Sequence, residues 1–174
     1  MNVQLLIPAA GMGQRLGRGP KALVELAGAP LLARTLARFA GSGLLEGAVI
    51  VCPPDGMASF QDMLQRHFPD NHCQLVPGGP ERQDSVWNGL AALDDRTEIV
   101  VIHDAARPFV PSDSIRASID AAQQYGGASV AIPVVDTIFQ ADQDAWLEST
   151  PPRGCLWACQ TPQTFRVELI REAH

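Results

Sequence analysis

Three clusters of polar residues have a spacing that suits phosphate chemistry. The first, Pro8-Ala9-Ala10-Gly11-Met12-Gly13-Gln14-Arg15, follows directly on the apolar run 3–7 and continues to Pro20-Lys21. Its glycines free the backbone so that successive N–H groups can wrap a polyphosphate, and Arg15 and Lys21 add the charge to neutralise one. Lys21 is the only lysine among 13 basic residues. Arginine-favouring codon use explains that equally well, but a lysine also brings a compact point charge where arginine would bring a planar fork. The second cluster runs from Gly78 to Val86. Paired glycines permit close backbone approach, and Arg82 and Ser85, three apart, share one face of a first helical turn, although an ordinary capped helix would read the same way. The third, Val100 to Val110, places Asp104 immediately after a buried run. A carboxylate there is a hard oxygen ligand suited to Mg²⁺ held jointly with substrate phosphates, and a turn-forming aspartate fits as well. His103 reads as a packing residue rather than a base or ligand.

Two familiar phosphate grips are excluded. In the P-loop a Gly-Lys pair precedes Ser or Thr, whereas Lys21 stands between Pro20 and Ala22. The dinucleotide fingerprint fails because Gly11 to Gly17 is one residue too long. In addition, the second apolar run ends in Val51-Cys52-Pro53, without the acidic residue a ribose would want.

Elements that position these clusters follow from hydrophobic period. Short runs rich in Val, Ile and Leu at 3–7, 47–52, 73–76, 98–102 and 128–133 predict strands. Between them, helical period predicts helices near 30–41, 57–67, 81–93 and 113–124, the first with Pro30 near its start and the last capped by Ser112 or Asp113. Continuous apolar strands joined by helices imply an α/β fold with a doubly wound, mostly parallel sheet, in which ligands sit at the carboxyl ends of the strands. All three clusters lie just after a strand. Residues 136–156 instead alternate polar and apolar with turns, and predict a projecting β-hairpin arm.

Composition limits the partners. With 174 residues, 46% of them hydrophobic, the chain can form one domain with a substantial core. A net charge of -6 argues against a general nucleic-acid binder, so an anionic ligand must be met by a local cluster of cations. No apolar run of spanning length and no signal-type start is present, which predicts a cytoplasmic protein without membrane contact. The four cysteines, Cys52, Cys73, Cys155 and Cys159, have no metal-ligand spacing.

In order and combination, P-A-A-G-x-G-x-R-x-x-x-x-P-K, G-G-x-E-R-x-x-S-V and H-D-A-A-R-P closely resemble the 2-C-methyl-D-erythritol 4-phosphate cytidylyltransferase family of the non-mevalonate isoprenoid pathway. The resemblance runs from residue 3 to about 170. It implies a Rossmann-like nucleotidyltransferase fold over 1–174 and transfer of a cytidylyl group from CTP to methylerythritol phosphate. Ala9, Ala10, Gly11 and Gly13 match the family's loop around the nucleotide, and Arg15 and Lys21 its catalytic cations on the triphosphate. Gly79, Arg82 and Ser85 match the cytosine and ribose segment, with Ala105 nearby, and Asp104 matches the Mg²⁺ carboxylate. Arg107 falls in the same motif as a support for its loop. In the arm, Asp136, Thr137 and Arg153 match positions that grip the sugar phosphate, commonly across a homodimer interface. "LWACQTPQTF" from Leu156 resembles the return strand behind the arm. The resemblance further implies an acidic T-D-[DE] motif and a late lysine beyond His174, and an acidic residue where Pro80 stands. A pentitol (ribitol) phosphate cytidylyltransferase and a non-catalytic CTP-binding module remain as alternatives.

Overall fold

The computed structural model describes residues 1–11, 20–69 and 72–174. Among the described residues ten strands are formed: β1 (Val3–Pro8), β2 (Glu25–Leu26), β3 (Ala29–Pro30), β4 (Gly47–Cys52), β5 (Cys73–Pro77), β6 (Ile99–Ile102), β7 (Gly127–Pro133), β8 (Gln140–Ala141), β9 (Leu147–Ser149) and β10 (Trp157–Arg166). Helices are α1 (Leu31–Ala40), α2 (Met57–His67), α3 (Arg82–Ala91), α4 (Ser112–Tyr125) and α5 (Val167–Ala173).

Six strands make one sheet in the order β5-β4-β1-β6-β10-β7. β5, β4, β1 and β6 pair in parallel, and β10 runs antiparallel to both β6 and β7. The expectation of a mostly parallel sheet is met, with β10 as the reversed strand. From β1 the chain moves outward to β4 and β5, then returns to the other side of β1 as β6. That reversal of winding opens a crevice at the carboxyl ends of β1 and β6, the place where open α/β sheets bind ligands.

Side-chain alternation divides the core between the two faces of the sheet. Leu5, Ile7, Ile50 and Val101 pack with Leu32, Leu36, Phe39 and Phe60 of α1 and α2 and with Ile115 and Ile119 of α4. Leu6, Val49, Val51, Val100 and Ile102 face the opposite way, onto Leu90 of α3 and Val167 of α5. Gly89 lets α3 lie close, because a Cβ there would stand 2.7 Å from Leu6 Cδ1.

One local expectation is corrected, and the hairpin arm is met. Pro111, not Ser112 or Asp113, precedes the first helical residue of α4, and no side chain caps that end. Proline's fixed φ pre-forms the entry, so the turn needs no hydroxyl or carboxylate. The arm is a two-stranded hairpin, β8 with β9, but pairing covers only a few residues inside 136–156. Asp142 Oδ1 accepts from the amides of Asp144 (3.0 Å) and Trp146 (2.9 Å), which closes the tip.

Candidate active site

Backbone contacts draw the three clusters together at the end of the sheet. Past β1, the amide of Ala9 donates to the Val51 carbonyl (2.6 Å), and past β5 the amide of Gly78 donates to the Cys52 carbonyl (2.8 Å). Gly78 and Gly79 are required by close approach. A Cβ on Gly78 would lie 2.4 Å from Ala10 Cβ, and one on Gly79 would lie 2.2 Å from Asp84 Cβ. The loop then turns into α3, where the Glu81 amide donates to Asp84 Oδ2 at 3.0 Å.

Two adjoining cavities result. One, about 300 Å³, is lined by Ala10, Gly11, Gly79, Arg82 and Ser85, with Pro8 at its edge. The other, about 410 Å³, is lined by Ala9, Gly11, Lys21, Asp104, Ala105 and Arg107. Lys21 opens a short 3-10 turn, Lys21–Leu23, set behind Pro20 and anchored by buried Ala22. Gly13 and Arg15 lie outside the described residues.

Asp104 is the most connected polar side chain of this edge. Its Oδ1 accepts from Arg82 Nη2 at 3.0 Å and its Oδ2 from Arg107 Nε at 3.0 Å. Arg107 is tied in turn to Gln160 Oε1, and the Asp104 amide donates to Thr161 Oγ1 at 3.2 Å. α1 holds the same loop from behind: Thr35 Oγ1 donates to the Ala105 carbonyl (2.8 Å), and Arg38 donates to the Val110 carbonyl.

Gln160 and Thr161 are absent from the sequence-derived site. They sit in a bulge of β10, where register shifts between Cys159 and Gln163. Pro162 is the signal that was available: it has no N–H for a ladder bond, so a strand containing it bulges there and can present its neighbours sideways.

Ser85 and His103 are both buried, His103 as the packing residue expected. The hydroxyl of Ser85 is buried and accepts the Gly79 amide at 3.1 Å, which makes it a brace of the glycine loop. His103 is fully buried, edge-on to Phe39 at 4.8 Å, with Nε2 3.0 Å from the Arg107 carbonyl and Nδ1 unpartnered. Burial pushes its imidazole below the ordinary value, against a smaller opposing effect of the Arg107 carbonyl. Asp136 and Thr137 are exposed in the arm, and Arg153 donates to the neighbouring Val135 carbonyl at 2.9 Å. None of these three lines either cavity.

Among the described residues no group of three or more His, Cys, Asp or Glu side chains could enclose a metal. A lone carboxylate opening on a cavity large enough for phosphates fits Mg²⁺ nonetheless, since that ion is usually held by one or two carboxylates with substrate phosphates completing the shell.

The family model for 2-C-methyl-D-erythritol 4-phosphate cytidylyltransferase matches residues 3–174. The chain belongs to this family. Among its cytidylyltransferase relatives, that of Geobacillus thermodenitrificans is 45% identical over 175 residues, covering 100% of this chain and 76% of the relative. The crystal structure of 4-diphosphocytidyl-2C-methyl-D-erythritol synthase from Anaerococcus prevotii superposes with a TM-score of 0.85 at 29% identity, covering 98% of this chain and 74% of that one. The cytidylyltransferase structure from Thermus thermophilus gives 0.77 at 34% identity, over 100% and 75%. Membership of the cytidylyltransferase family makes the crevice between β1 and β6 the candidate nucleotide site.

Proposed function

We infer that this chain, as a single nucleotidyltransferase domain over 1–174, transfers the cytidylyl group of CTP to 2-C-methyl-D-erythritol 4-phosphate. The family match over residues 3–174 carries the reading. The meeting of Lys21, Asp104 and the Pro8–Gly11 loop around one cavity supports it. A phosphate oxygen of the acceptor attacks the α-phosphorus of CTP in line. A new P–O bond forms as the bond to the β-phosphate bridge breaks, and pyrophosphate leaves. The phosphomonoester is already ionised near neutral pH, so no general base is needed.

The chemical task is electrostatic, because both reactants are anions. Lys21, together with Arg15, offsets their repulsion and stabilises the charge that develops on the α-phosphoryl oxygens. Ala10 and Gly11 offer backbone amides to the triphosphate, with Ala9 held against Val51 behind them, and Gly13 belongs to the same loop by its motif. Gly79 and Arg82 receive the cytidine half in the smaller cavity, and Ser85 keeps that loop in place. Asp104 would hold Mg²⁺, which when bound screens and polarises phosphoryl oxygens. Asp136, Thr137 and Arg153 would grip the sugar phosphate of the neighbouring subunit's site in a homodimer joined through the arm. A cytoplasmic location belongs to the same reading, and among the described residues no helix is long and apolar enough to cross a membrane.

The deciding assay is pyrophosphate release from CTP and Mg²⁺ with methylerythritol phosphate or ribitol 5-phosphate as acceptor. Release with the first alone is expected. Preference for ribitol 5-phosphate would reassign the acceptor, and CTP binding without release from either would reduce the chain to a nucleotide-binding module.

A further inference from the structure

Arg82 and Asp104 belong to different cavities yet hold each other. Arg82 lines the smaller cavity and Asp104 the larger, and the two cavities share Pro8 and Gly11. Arg82 Nη2 lies 3.0 Å from Asp104 Oδ1 across that boundary. The two guanidiniums on this carboxylate are not equivalent. Arg107 reaches Oδ2 from three residues away and is tied at its other end to Gln160. Arg82, the first residue of α3, has a side chain 56% exposed, and Asp104 is its only hydrogen-bond partner among the described residues. Arg107 is therefore the fixed partner and Arg82 the free one.

A divalent cation on Oδ1 and a guanidinium on the same oxygen are like charges competing for one acceptor. Exposed ion pairs are weak, about 0–1 kcal/mol, so exchange needs little driving force. On the reading that the two cavities together receive CTP, the cytidine half enters the cavity that Arg82 lines and offers it other acceptors. We propose that Arg82 occupies the Asp104 carboxylate in the nucleotide-free protein and is drawn off it by the cytidine half of the ligand. Nucleotide and divalent cation then bind cooperatively through one side chain, beyond any chelation by the triphosphate. Linkage makes the effect reciprocal: the factor by which cytidine raises cation affinity is the factor by which the cation raises cytidine affinity. A pair of this strength supports a factor of up to about 5.

The test uses the full chain, Mn²⁺ followed by electron paramagnetic resonance, and cytidine, which has no phosphate to bind metal. Wild type is expected to bind Mn²⁺ about 2- to 5-fold more tightly when cytidine is saturating. Arg82→Gln should bind Mn²⁺ with the tighter constant from the start and gain nothing from cytidine. Asp104→Asn should lose the site in both conditions. Equal Mn²⁺ affinity in wild type with and without bound cytidine would overturn the proposal, as would unchanged affinity in Arg82→Gln or Mn²⁺ retained by Asp104→Asn. Calorimetry that finds no cytidine binding at all would count against the CTP reading instead, and Arg82→Gln without nucleotide would then decide the competition alone.

Discussion

Lys21 is where the proposed chemistry bears most directly on turnover. It stands exposed at the mouth of the larger cavity, held by a turn whose next residue, Ala22, is buried. A preorganised cation aimed at developing charge acts mainly in the transition state, and losing one such donor costs on the order of 100-fold or more in turnover. Lys21→Ala is expected to lower kcat by at least about 100-fold while changing CTP affinity far less, measured by steady-state kinetics beside direct titration. A loss confined to affinity would remove Lys21 from the catalytic role. Cys52 supports a second expectation, about stability. Its thiol is fully buried on β4, 3.2 Å from Met57 Sδ, and burial pushes its pKa up against a smaller effect of a backbone hydrogen bond. Cys73 on the paired strand is raised by burial as well. The folded state thus keeps protons that the unfolded chain releases above about pH 8.5. The associated stability is complete below that pH and is lost as pH rises toward the folded values. Thermal melts should show Tm falling between pH 8 and 10, and falling less in a Cys52→Ala, Cys73→Ala double variant. Parallel pH profiles would assign the slope to other groups.

At the scale of elements, the site depends on loops pressed against their neighbours. Gly79 has space for no side chain, with Asp84 Cβ 2.2 Å from where its own Cβ would be. Gly79→Ala must displace the loop from the start of α3, at a cost of about 1–3 kcal/mol by overpacking. A displacement that removes about 1.4 kcal/mol of nucleotide contact would raise the CTP dissociation constant about tenfold. Calorimetric titration reads this directly, and wild-type affinity in the variant would show that the loop does not meet the nucleotide. The bulge of β10 makes a smaller claim. Thr161→Val removes the hydroxyl that accepts the Asp104 amide, and one hydrogen bond contributes about 1 kcal/mol. A Tm lower by about 2–4 °C is expected for a chain of this size. An unchanged Tm would mean that water takes over the amide.

On the scale of the whole molecule, the arm is a part that the single chain leaves uncovered. Phe139, Trp146 and Leu147 are 65%, 74% and 61% exposed, and Ile138 is 39% exposed. A two-stranded hairpin is marginal by itself, and a contiguous apolar surface on a projecting element marks a contact with another molecule. Dimerisation through the arm is expected, with sedimentation velocity giving twice the chain mass. A Phe139→Glu, Trp146→Glu double variant should sediment as a monomer and lose activity with methylerythritol phosphate while still binding CTP, because the proposed function gives Asp136, Thr137 and Arg153 of the arm the grip on the acceptor. A variant that remains dimeric would place the interface elsewhere.

Fold class and the three clusters were legible in the sequence because each rests on local physics. Buried parallel strands must be continuous apolar runs, and 3–7, 47–52 and 73–76 became β1, β4 and β5 with shifts of at most one residue. Glycines that admit a backbone, and an aspartate just past a strand, mark their places without reference to distant residues. What the sequence did not determine depends on contacts far apart along the chain. Nothing local says that β10 inserts antiparallel between β6 and β7, nor that its bulge delivers Gln160 and Thr161 to a loop more than 50 residues earlier. That Ser85, which lines the smaller cavity, also accepts the Gly79 amide was not readable from the sequence either. The pairing of Arg82 with Asp104 was equally invisible, because charge attraction acts through space and only the return of the chain from β5 to β6 beside β1 makes those two residues neighbours.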